Sequence, residues 1–505
     1  MIKARVVRHH GTRYRAAPLA RHVAYLERDG VTKDGHDANL FDRRTETADG
    51  AAFAERCEDD RHHFRFIVSP EDAPEMADLR AFTRELMDDM AKDLGSELDW
   101  VAVDHWNTDN PHIHVLVRGR ASDGTDLVID RDYIREGMRA RAEQLVTLEL
   151  GPRSEREISS ALEREVEADS WTSLDRRLQR LADEAGGVID LRPANDGSDR
   201  GDRSLLLGRA AKLERLGLAD RIGTASWSLK ADLEPTLRDL SIRTDIIKTM
   251  HRAMGQRDLG ADPSTFALQG DAPTDQIIGR LVERGLHDEL AGTAYAVIDG
   301  VDGRAHHVRF RDLELTSDAA PGAIVELRSW TDPKGEVRLS LAVRSDLSLE
   351  QQVRSSGATW LDRQLVGSDP VPTGNGFGLE VRDAVARRAE HLADDGLARR
   401  VGDRIIPDRG LLESLKARDV AAAAAKVETN TGLPCQPSAV GEHVSGVYRE
   451  RVTLASGRFA MIDDGLGFQL VPWRPSLDAH LGQHITGTMG RGGSVDWSLG
   501  RGLGR

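Results

Sequence analysis

The sequence predicts an α+β protein: a central antiparallel sheet flanked by helices, followed by winged-helix-like units and small β-barrels. Three observations carry this prediction. The first 150 residues alternate strand and helix patterns, and the turn "NTDNP" joins two strands that must then run antiparallel. Two later segments place a helix before a Gly turn and a short strand. Two others show short alternating strands broken by Asp-Gly or Ser-Gly turns.

The amino-terminal elements follow from hydrophobic periodicity and from Gly and Pro stop signals. Apolar residues alternate in "IKARVVR" and recur at helical spacing in "HVAYLERDG". In chain order the predicted elements are a strand at 2–8, a helix at 17–30, a strand at 63–70, a helix at 73–95, strands at 98–105 and 112–118, and a helix at 130–151, with 31–60 left irregular.

Beyond residue 150 the pattern suggests repeated small units. The composition of residues 191–204 is typical of a linker. Residues 208–223 predict a helix, a Gly turn and a short strand, and a diverged copy lies at 387–402. Small barrels are predicted at 292–343 and 445–500. Such units often bind nucleic acid, but they serve equally as scaffolding or protein contacts.

Composition sets limits on the class of protein. The chain has 505 residues, of which 39% are hydrophobic and 30% charged, so it can bury several cores. It lacks a long apolar run, and its only cysteines are Cys57 and Cys435, so we expect a cytoplasmic protein with neither membrane insertion nor a disulfide framework. The net charge is −15, yet residues 1–36 are locally basic and could bind phosphate groups.

The stretch "HWNTDNPHIHVLVRG" (105–119) holds three histidines. Residues i and i+2 of a strand share a face, so His112 and His114 project side by side. If the preceding strand pairs with theirs, His105 returns to the same face. Three imidazoles with open positions for water or substrate are typical of a catalytic metal site. Asp104 and Asp109 are close enough in sequence to accept a hydrogen bond from a ligating imidazole.

Other interpretations of the three histidines are also compatible with the sequence. A His-x-His pair on a strand is often only packed or solvated. Cupins carry a glutamate soon after the second histidine, which is missing here, and the zincin motif His-Glu-x-x-His is also absent. Metal-assisted phosphate chemistry is favoured, and it requires a nucleophile. Among five tyrosines, Tyr25 lies on the first helix within the basic stretch, although an ordinary half-buried aromatic is an open alternative.

A resemblance to a known family joins these motifs. "HWNTDNPHIHV" together with the upstream "HVAYLERDGV" resembles the HUH relaxases, the conjugative and mobilisation nucleases related to the T-DNA border endonuclease. The likeness covers about residues 1–150, and "HHFRFIVSPED" (62–72) resembles the strand motif between the two. The remainder, including 357–366 and 457–475, is similar to an uncharacterised region that accompanies such relaxases.

The resemblance implies a site- and strand-specific DNA nickase. Tyr25 would attack the scissile phosphate and form a covalent 5′-phosphotyrosine, and Asp109 would orient a ligand or take the tyrosine proton. His105, His112 and His114 would bind Mg²⁺ or Mn²⁺, although three nitrogen donors also suit Zn²⁺. The implied DNA-binding residues are Arg21 and Arg28. The implied partners are single-stranded DNA at an origin of transfer, accessory relaxosome proteins and a type IV coupling protein, and the protein could travel with its DNA to a recipient cell.

Two departures from the family pattern and two rival functions remain open. Asn107 stands where relatives usually carry Asp, and relatives often have a longer basic segment before "KARVVRH", so we expect weaker activity or DNA binding. A rolling-circle replication initiator would use the same chemistry, but its usual helicase partner has a Walker motif that is missing here. A DNA-binding regulator with a vestigial site is the other rival.

These interpretations divide the chain into six parts. They are a relaxase domain at 1–150, a helical connector and linker at 151–200, a winged-helix-like unit at 201–270, a small β-barrel at 271–350, a helical or winged-helix-like unit at 351–430 and a second small β-barrel at 431–505.

Overall fold

A computed structural model gives the fold of the chain. It describes residues 1–9, 17–29, 32–106, 111–192, 200–257, 259, 262–268, 277–288, 290–367, 374–402, 404–490 and 494–498. Of these residues 40% are helical and 29% lie in strands, and the sheets are mainly antiparallel, which confirms the predicted α+β class at this level. Within the described residues, every helix is too short or too polar to cross a bilayer.

The chain forms two compact units. One comprises Met1–Asp245 with Asp288–Gly292, and the other comprises Ile246–His287 with Thr293–Arg505. The helices are α1 (Ala17–Asp29), α2 (Gly50–Arg56), α3 (Leu79–Leu94), α4 (Met138–Leu150), α5 (Glu155–Glu167), α6 (Ser173–Glu184), α7 (Arg200–Arg215), α8 (Leu233–Gly255), α9 (Leu349–Val353), α10 (Trp360–Leu365), α11 (Phe377–Asp394) and α12 (Leu411–Thr431).

The strands are β1 (Ile2–Arg8), β2 (His62–Val68), β3 (Trp100–His105), β4 (His112–Arg118), β5 (Val188–Asp190), β6 (Ala219–Gly223), β7 (Ser226–Leu229), β8 (Phe266–Leu268), β9 (Ile278–Asp288), β10 (Thr293–Gly300), β11 (Ala305–Phe310), β12 (Ile324–Thr331), β13 (Val337–Ser345), β14 (Ala398–Val401), β15 (Arg404–Pro407), β16 (His443–Leu454), β17 (Gly457–Asp463), β18 (Phe468–Pro472), β19 (His484–Met489) and β20 (Val495–Ser498).

The first four strands form one antiparallel sheet in the order β1-β2-β4-β3. One face is apolar, because alternate residues such as Phe66, Ala102 and Val115 join Leu86 and Met90 of α3 in a buried core. Helix α4 covers the same face. The opposite face carries His105 of β3 and His112 and His114 of β4, and α1 and α2 lie against its β3 side. We call this second face the histidine face.

Two helix predictions need correction. Residues 31–60 were expected to be irregular, but the Asp49 carboxylate accepts hydrogen bonds from Ala51 N and Ala52 N and so starts α2. The helix predicted at 73–95 begins only at Leu79, because Asp78 provides its cap and a 3₁₀ turn precedes it. Gly95, with φ of 63°, ends this helix as expected.

The linker predicted at 191–204 is also wrong at its end, since α7 begins at Arg200. Residues 193–199 lie outside the described part of the chain. The helix of the predicted copy likewise begins earlier than expected, as α11. The same order of elements recurs around each of these helices. The first copy consists of α5, the Thr-capped α6, α7 and the hairpin β6–β7, with β5 between α6 and α7. The second copy consists of α9, the Thr-capped α10, α11 and the hairpin β14–β15.

An identical buried ion pair holds each of these two copies together. In the first, Arg209 Nε and Nη2 donate to the Asp175 carboxylate at 2.7 and 2.8 Å, and both side chains are fully buried. In the second, Arg388 pairs with Asp362 at 2.8 and 3.0 Å in the same way. Each arginine also donates to a backbone carbonyl of the preceding loop: Arg209 to that of Ser170 and Arg388 to that of Gly357. One side chain thereby fastens three segments.

Breaking the first pair should destabilise its copy strongly. Replacing Asp175 with alanine leaves the Arg209 guanidinium buried without its counter-ion, which typically costs about 3–5 kcal/mol. Denaturant unfolding combined with hydrogen exchange of β5–β7 measures the loss. The control is Glu167→Ala, which removes an exposed pair with Arg215 and should cost about 1 kcal/mol or less. Equal, small effects of both changes would contradict the assignment.

The two predicted β-barrels are wrong, because the corresponding strands form open sheets. Their orders are β13-β12-β9-β10-β11-β8 and β18-β17-β16-β19-β20, and no closed barrel occurs among the described residues. Closure would require the outermost strands to pair with each other. Strand β8 has only three residues and instead runs parallel to β11. Alternation along each strand therefore predicted the strands but not whether the sheet closes.

A buried histidine should make the second unit sensitive to acid. Burial, together with His287 and Arg309, lowers the pKa of His307 to about 4, and its ring stacks on Tyr295 at 5.2 Å. A histidine whose pKa falls on folding contributes stability that is complete above about pH 6.5 and is lost as pH falls towards 4. Between pH 7 and pH 5 we expect a loss of about 2 kcal/mol in the free energy of unfolding.

The measurement is denaturant unfolding of the whole chain at both pH values, followed by hydrogen exchange in β10 and β11. In His307→Gln this part of the acid sensitivity should disappear. The exposed His36→Gln serves as the matched control and should keep it. A His307 variant with undiminished acid sensitivity would argue against this origin.

Candidate active site

The histidine face is built by strand register. In the antiparallel pair β3 and β4, His105 lies directly opposite His112, and Val103 lies opposite His114. Cross-strand partners share a face, so all three histidines project from the same side, as the sequence predicted. Strand β2 continues the face, because Ile67 is the partner of His114 on its other side.

The three imidazoles converge. One ring nitrogen from each lies within 4.8 Å of the others, and the Nε2 atoms of His112 and His114 are 3.2 Å apart. All three side chains are nearly buried, with 4%, 9% and 4% exposed for His105, His112 and His114. Imidazole nitrogens grouped in this way fit a divalent transition metal, and three protein donors leave coordination positions for water or substrate.

Helix α1 reaches this cluster through its backbone. The carbonyl oxygen of Leu26 lies 3.2 Å from His105 Nε2, a contact that joins two segments 79 residues apart in sequence. Tyr25 is the neighbouring residue on the helix, and its side chain is 6% exposed. The predicted nucleophile is thus a buried residue on the helix that contacts one histidine of the cluster.

Asp104 does not serve the histidines as the sequence suggested. It precedes His105 on the strand and therefore projects from the opposite face. Its carboxylate is 2.7 Å from Arg80 Nη2 and accepts a hydrogen bond from the Trp106 indole at 3.2 Å. The acid expected beside the imidazoles instead fastens α3 to β3.

Several predicted residues lie outside the described part of the chain. Asp109 and Asn107 fall in the undescribed segment 107–110. Arg21 and Arg28 belong to α1, but their side chains are likewise outside the description. Their proposed roles therefore stay predictions.

Basic side chains share the histidine face, and this group was only partly anticipated. Lys3 lies across from Ile67, and Arg5 lies directly opposite Arg65. Within strands β1 to β4 no acidic side chain projects from this face. Like charges placed directly opposite each other repel, so an anion bound between Arg5 and Arg65 would relieve that repulsion. Lys33, also in the basic stretch, instead donates to the backbone of Pro74 and Met76.

A hydrogen-bond chain holds Arg65 in place. Its Nε donates to His63 Nε2 at 3.1 Å, so His63 carries its hydrogen on Nδ1 and donates to His9 Nε2 at 2.8 Å. His9 in turn donates from Nδ1 to the Asp60 carbonyl. Burial, aided by the charge of Arg65, holds the pKa of His63 well below its usual range, which keeps this relay neutral. In the sequence, the only sign of this hydrogen-bond chain is "HHFRF", the start of the strand motif at 62–72.

Ser69 contacts the residue that precedes β4. Its hydroxyl donates to the Pro111 carbonyl at 3.2 Å, immediately before His112, and its backbone N–H bonds to Met1. Ser69 thereby ties the end of β2 to the residue that leads into β4.

Comparisons with known families agree with this geometry. Residues 28–146 match the family described as relaxase, MobA/VirD2-like, nuclease domain. Residues 206–337 and 331–505 match the family described as protein of unknown function, DUF3363, which together covers more than half of the chain. The chain belongs to the DUF3363 family and begins with a relaxase nuclease domain. The resemblance inferred from the two motifs is thereby confirmed.

The relaxase match includes all three histidines, the whole of β2 to β4, and Lys33 after α1. Tyr25 lies three residues before the match begins, so its role stays a prediction. None of the curated proteins matches the chain. The DUF3363 match covers the second copy of the repeated unit and both open sheets, but of the first copy only the part from within α7 onward.

Proposed function

We propose that this DUF3363 protein is a site- and strand-specific DNA nicking-joining relaxase of a conjugative or mobilisable element. One observation carries the proposal: His105, His112 and His114 converge beside the last turn of the helix that bears Tyr25. The three histidines lie within the segment that matches a relaxase nuclease domain. The proposal assigns the metal to these histidines, with Mg²⁺ or Mn²⁺ favoured by the family and Zn²⁺ compatible with the nitrogen donors. When bound, the metal supplies positive charge that polarises a phosphodiester.

In the proposed reaction the phenol oxygen of Tyr25 attacks phosphorus and forms a 5′-phosphotyrosine, in which the phosphate stays on the 5′ oxygen of the downstream nucleotide. The bond from phosphorus to the 3′ oxygen breaks, and that oxygen leaves as a 3′-hydroxyl. Asp109 is proposed to accept the phenol proton or to orient a ligand. Attack by a 3′-hydroxyl reverses the step and rejoins the strand, because the covalent intermediate conserves the phosphodiester linkage.

Lys3, Arg5 and Arg65 are proposed to bind phosphates of the DNA strand, since they share the face of the histidines and that face lacks acidic side chains on its strands. Arg21 and Arg28 are proposed to do the same from α1. The substrate is single-stranded DNA at an origin of transfer. Accessory relaxosome proteins and a type IV coupling protein are the proposed partners, with the protein acting in the cytoplasm and travelling with its DNA.

The test is a covalent-adduct assay with the full chain, Mn²⁺ and single-stranded oligonucleotides that tile the DNA flanking its own gene. We expect one tile to be cleaved on one strand and to leave a protein–DNA adduct that survives denaturation. A chain that cleaves none of the tiles but binds duplex DNA would instead be a regulator with a vestigial site. A cleaved tile that supports plasmid replication but not transfer to a recipient would favour a replication initiator.

A further inference from the structure

The carboxyl end of α1 meets the histidine cluster. Leu26 is among the last four residues of α1, whose carbonyl groups have no donor within a helix. Its oxygen lies 3.2 Å from His105 Nε2, the same separation as between the Nε2 atoms of His112 and His114. The carbonyl is therefore as close to the cluster as its members are to each other.

Charge favours a cation at this place. The carbonyls of the last turn give the carboxyl end of a helix a partial negative charge, which stabilises positive charge nearby. The strands of the histidine face offer no acidic side chain that could do so. The end of α1 places a backbone acceptor against His105.

We propose that the Leu26 carbonyl acts on the metal centre through its contact with His105, and that this contact couples metal binding to the last turn of α1. The inference rests on the proposed metal site. Metal binding polarises the ring of His105 and strengthens its interaction with a backbone acceptor. The same contact fixes the helical turn that contains Tyr25, so the metal centre positions the helix that carries the proposed nucleophile.

The coupling works in both directions. If the metal stabilises the end of α1, an intact end of α1 must raise the affinity for the metal by the same factor. Weakening this one carbonyl should therefore weaken metal binding although every histidine is retained.

The experiment replaces a single backbone amide by an ester. Substituting Glu27 by its α-hydroxy acid turns the Leu26 carbonyl into an ester carbonyl, a much weaker acceptor, and keeps all side chains. We expect the Mn²⁺ dissociation constant, measured by calorimetry on the full chain, to rise at least about fivefold. The matched control substitutes Ala24 in the same way, which removes one helical N–H and weakens the Val23 carbonyl instead, and should leave affinity within about twofold.

Hydrogen exchange gives a second readout that does not depend on catalysis. Adding Mn²⁺ to the unmodified chain should slow exchange in α1 more than in α2, which contacts both α1 and β3. Equal metal affinity of the two esters, or equal protection of both helices, would overturn the coupling and leave the Leu26 contact as an ordinary helix end. If the unmodified chain binds no Mn²⁺, Mg²⁺ or Zn²⁺, the metal site itself fails, which is a different outcome.

Discussion

Replacing Tyr25 with phenylalanine is expected to abolish the covalent protein–DNA adduct and to slow strand cleavage by about a thousandfold or more. The change removes only the phenol oxygen, so the buried ring can keep its packing on α1. The measurement is a denaturing gel of the cleaved oligonucleotide, with the linked peptide identified by mass spectrometry. The melting temperature of the variant shows whether the fold is retained.

The matched control for Tyr25 is Tyr133→Phe in the same domain. The Tyr133 hydroxyl donates to the Asp93 carboxylate at 3.0 Å, on the side of the sheet covered by α3 and α4. Its cleavage rate should stay within about threefold of the unmodified rate. Persistent adduct in Tyr25→Phe would show that another group attacks, and Tyr14 would then be the next residue to replace.

Replacing His114 with alanine is expected to remove measurable metal binding and, with it, strand cleavage. Loss of an outer partner of a metal ligand typically weakens binding by about 10- to 100-fold, and loss of a ligand should cost at least as much. Calorimetry with Mn²⁺ measures the affinity directly. Quenching of Trp106, which follows His105 in the chain, gives an optical check.

His62→Gln is the matched control for the metal site. His62 belongs to β2 but projects to the other side of the sheet, where its ring interacts with the Leu127 carbonyl at 2.9 Å. The Mn²⁺ affinity of the His62→Gln variant should remain within about threefold of the affinity of the unmodified chain. Undiminished affinity in His114→Ala would place the metal elsewhere and remove the main support for the proposed function.

The sequence was sufficient to predict the histidine face because its geometry is local. A period of two placed His112 and His114 together, and a short turn returned His105 to them, which the register confirms. The same alternation should have excluded Asp104, since neighbouring residues of a strand project to opposite faces. Closeness along the chain alone therefore does not place Asp104 beside the histidines.

Other features left little or no signal in the sequence. The Leu26 contact involves a backbone oxygen, which every residue possesses, so no residue type marks it. The pair of Arg209 and Asp175 joins residues 34 positions apart, and only the folded copy brings them together. Helix α2 has just seven residues, too few for a clear helical period in a polar stretch.

The two buried arginine–aspartate pairs also bear on where the long carboxyl-terminal region can be cut. After residue 172 the chain runs twice through one order of parts: a Thr-capped helix, an arginine-bearing helix, a hairpin, a further helix (α8 or α12) and an open sheet. Each pass contains its own ion pair, so a gain or loss of one whole pass would separate neither arginine from its aspartate. A cut between an arginine and its aspartate, in contrast, would leave one buried charge without its partner.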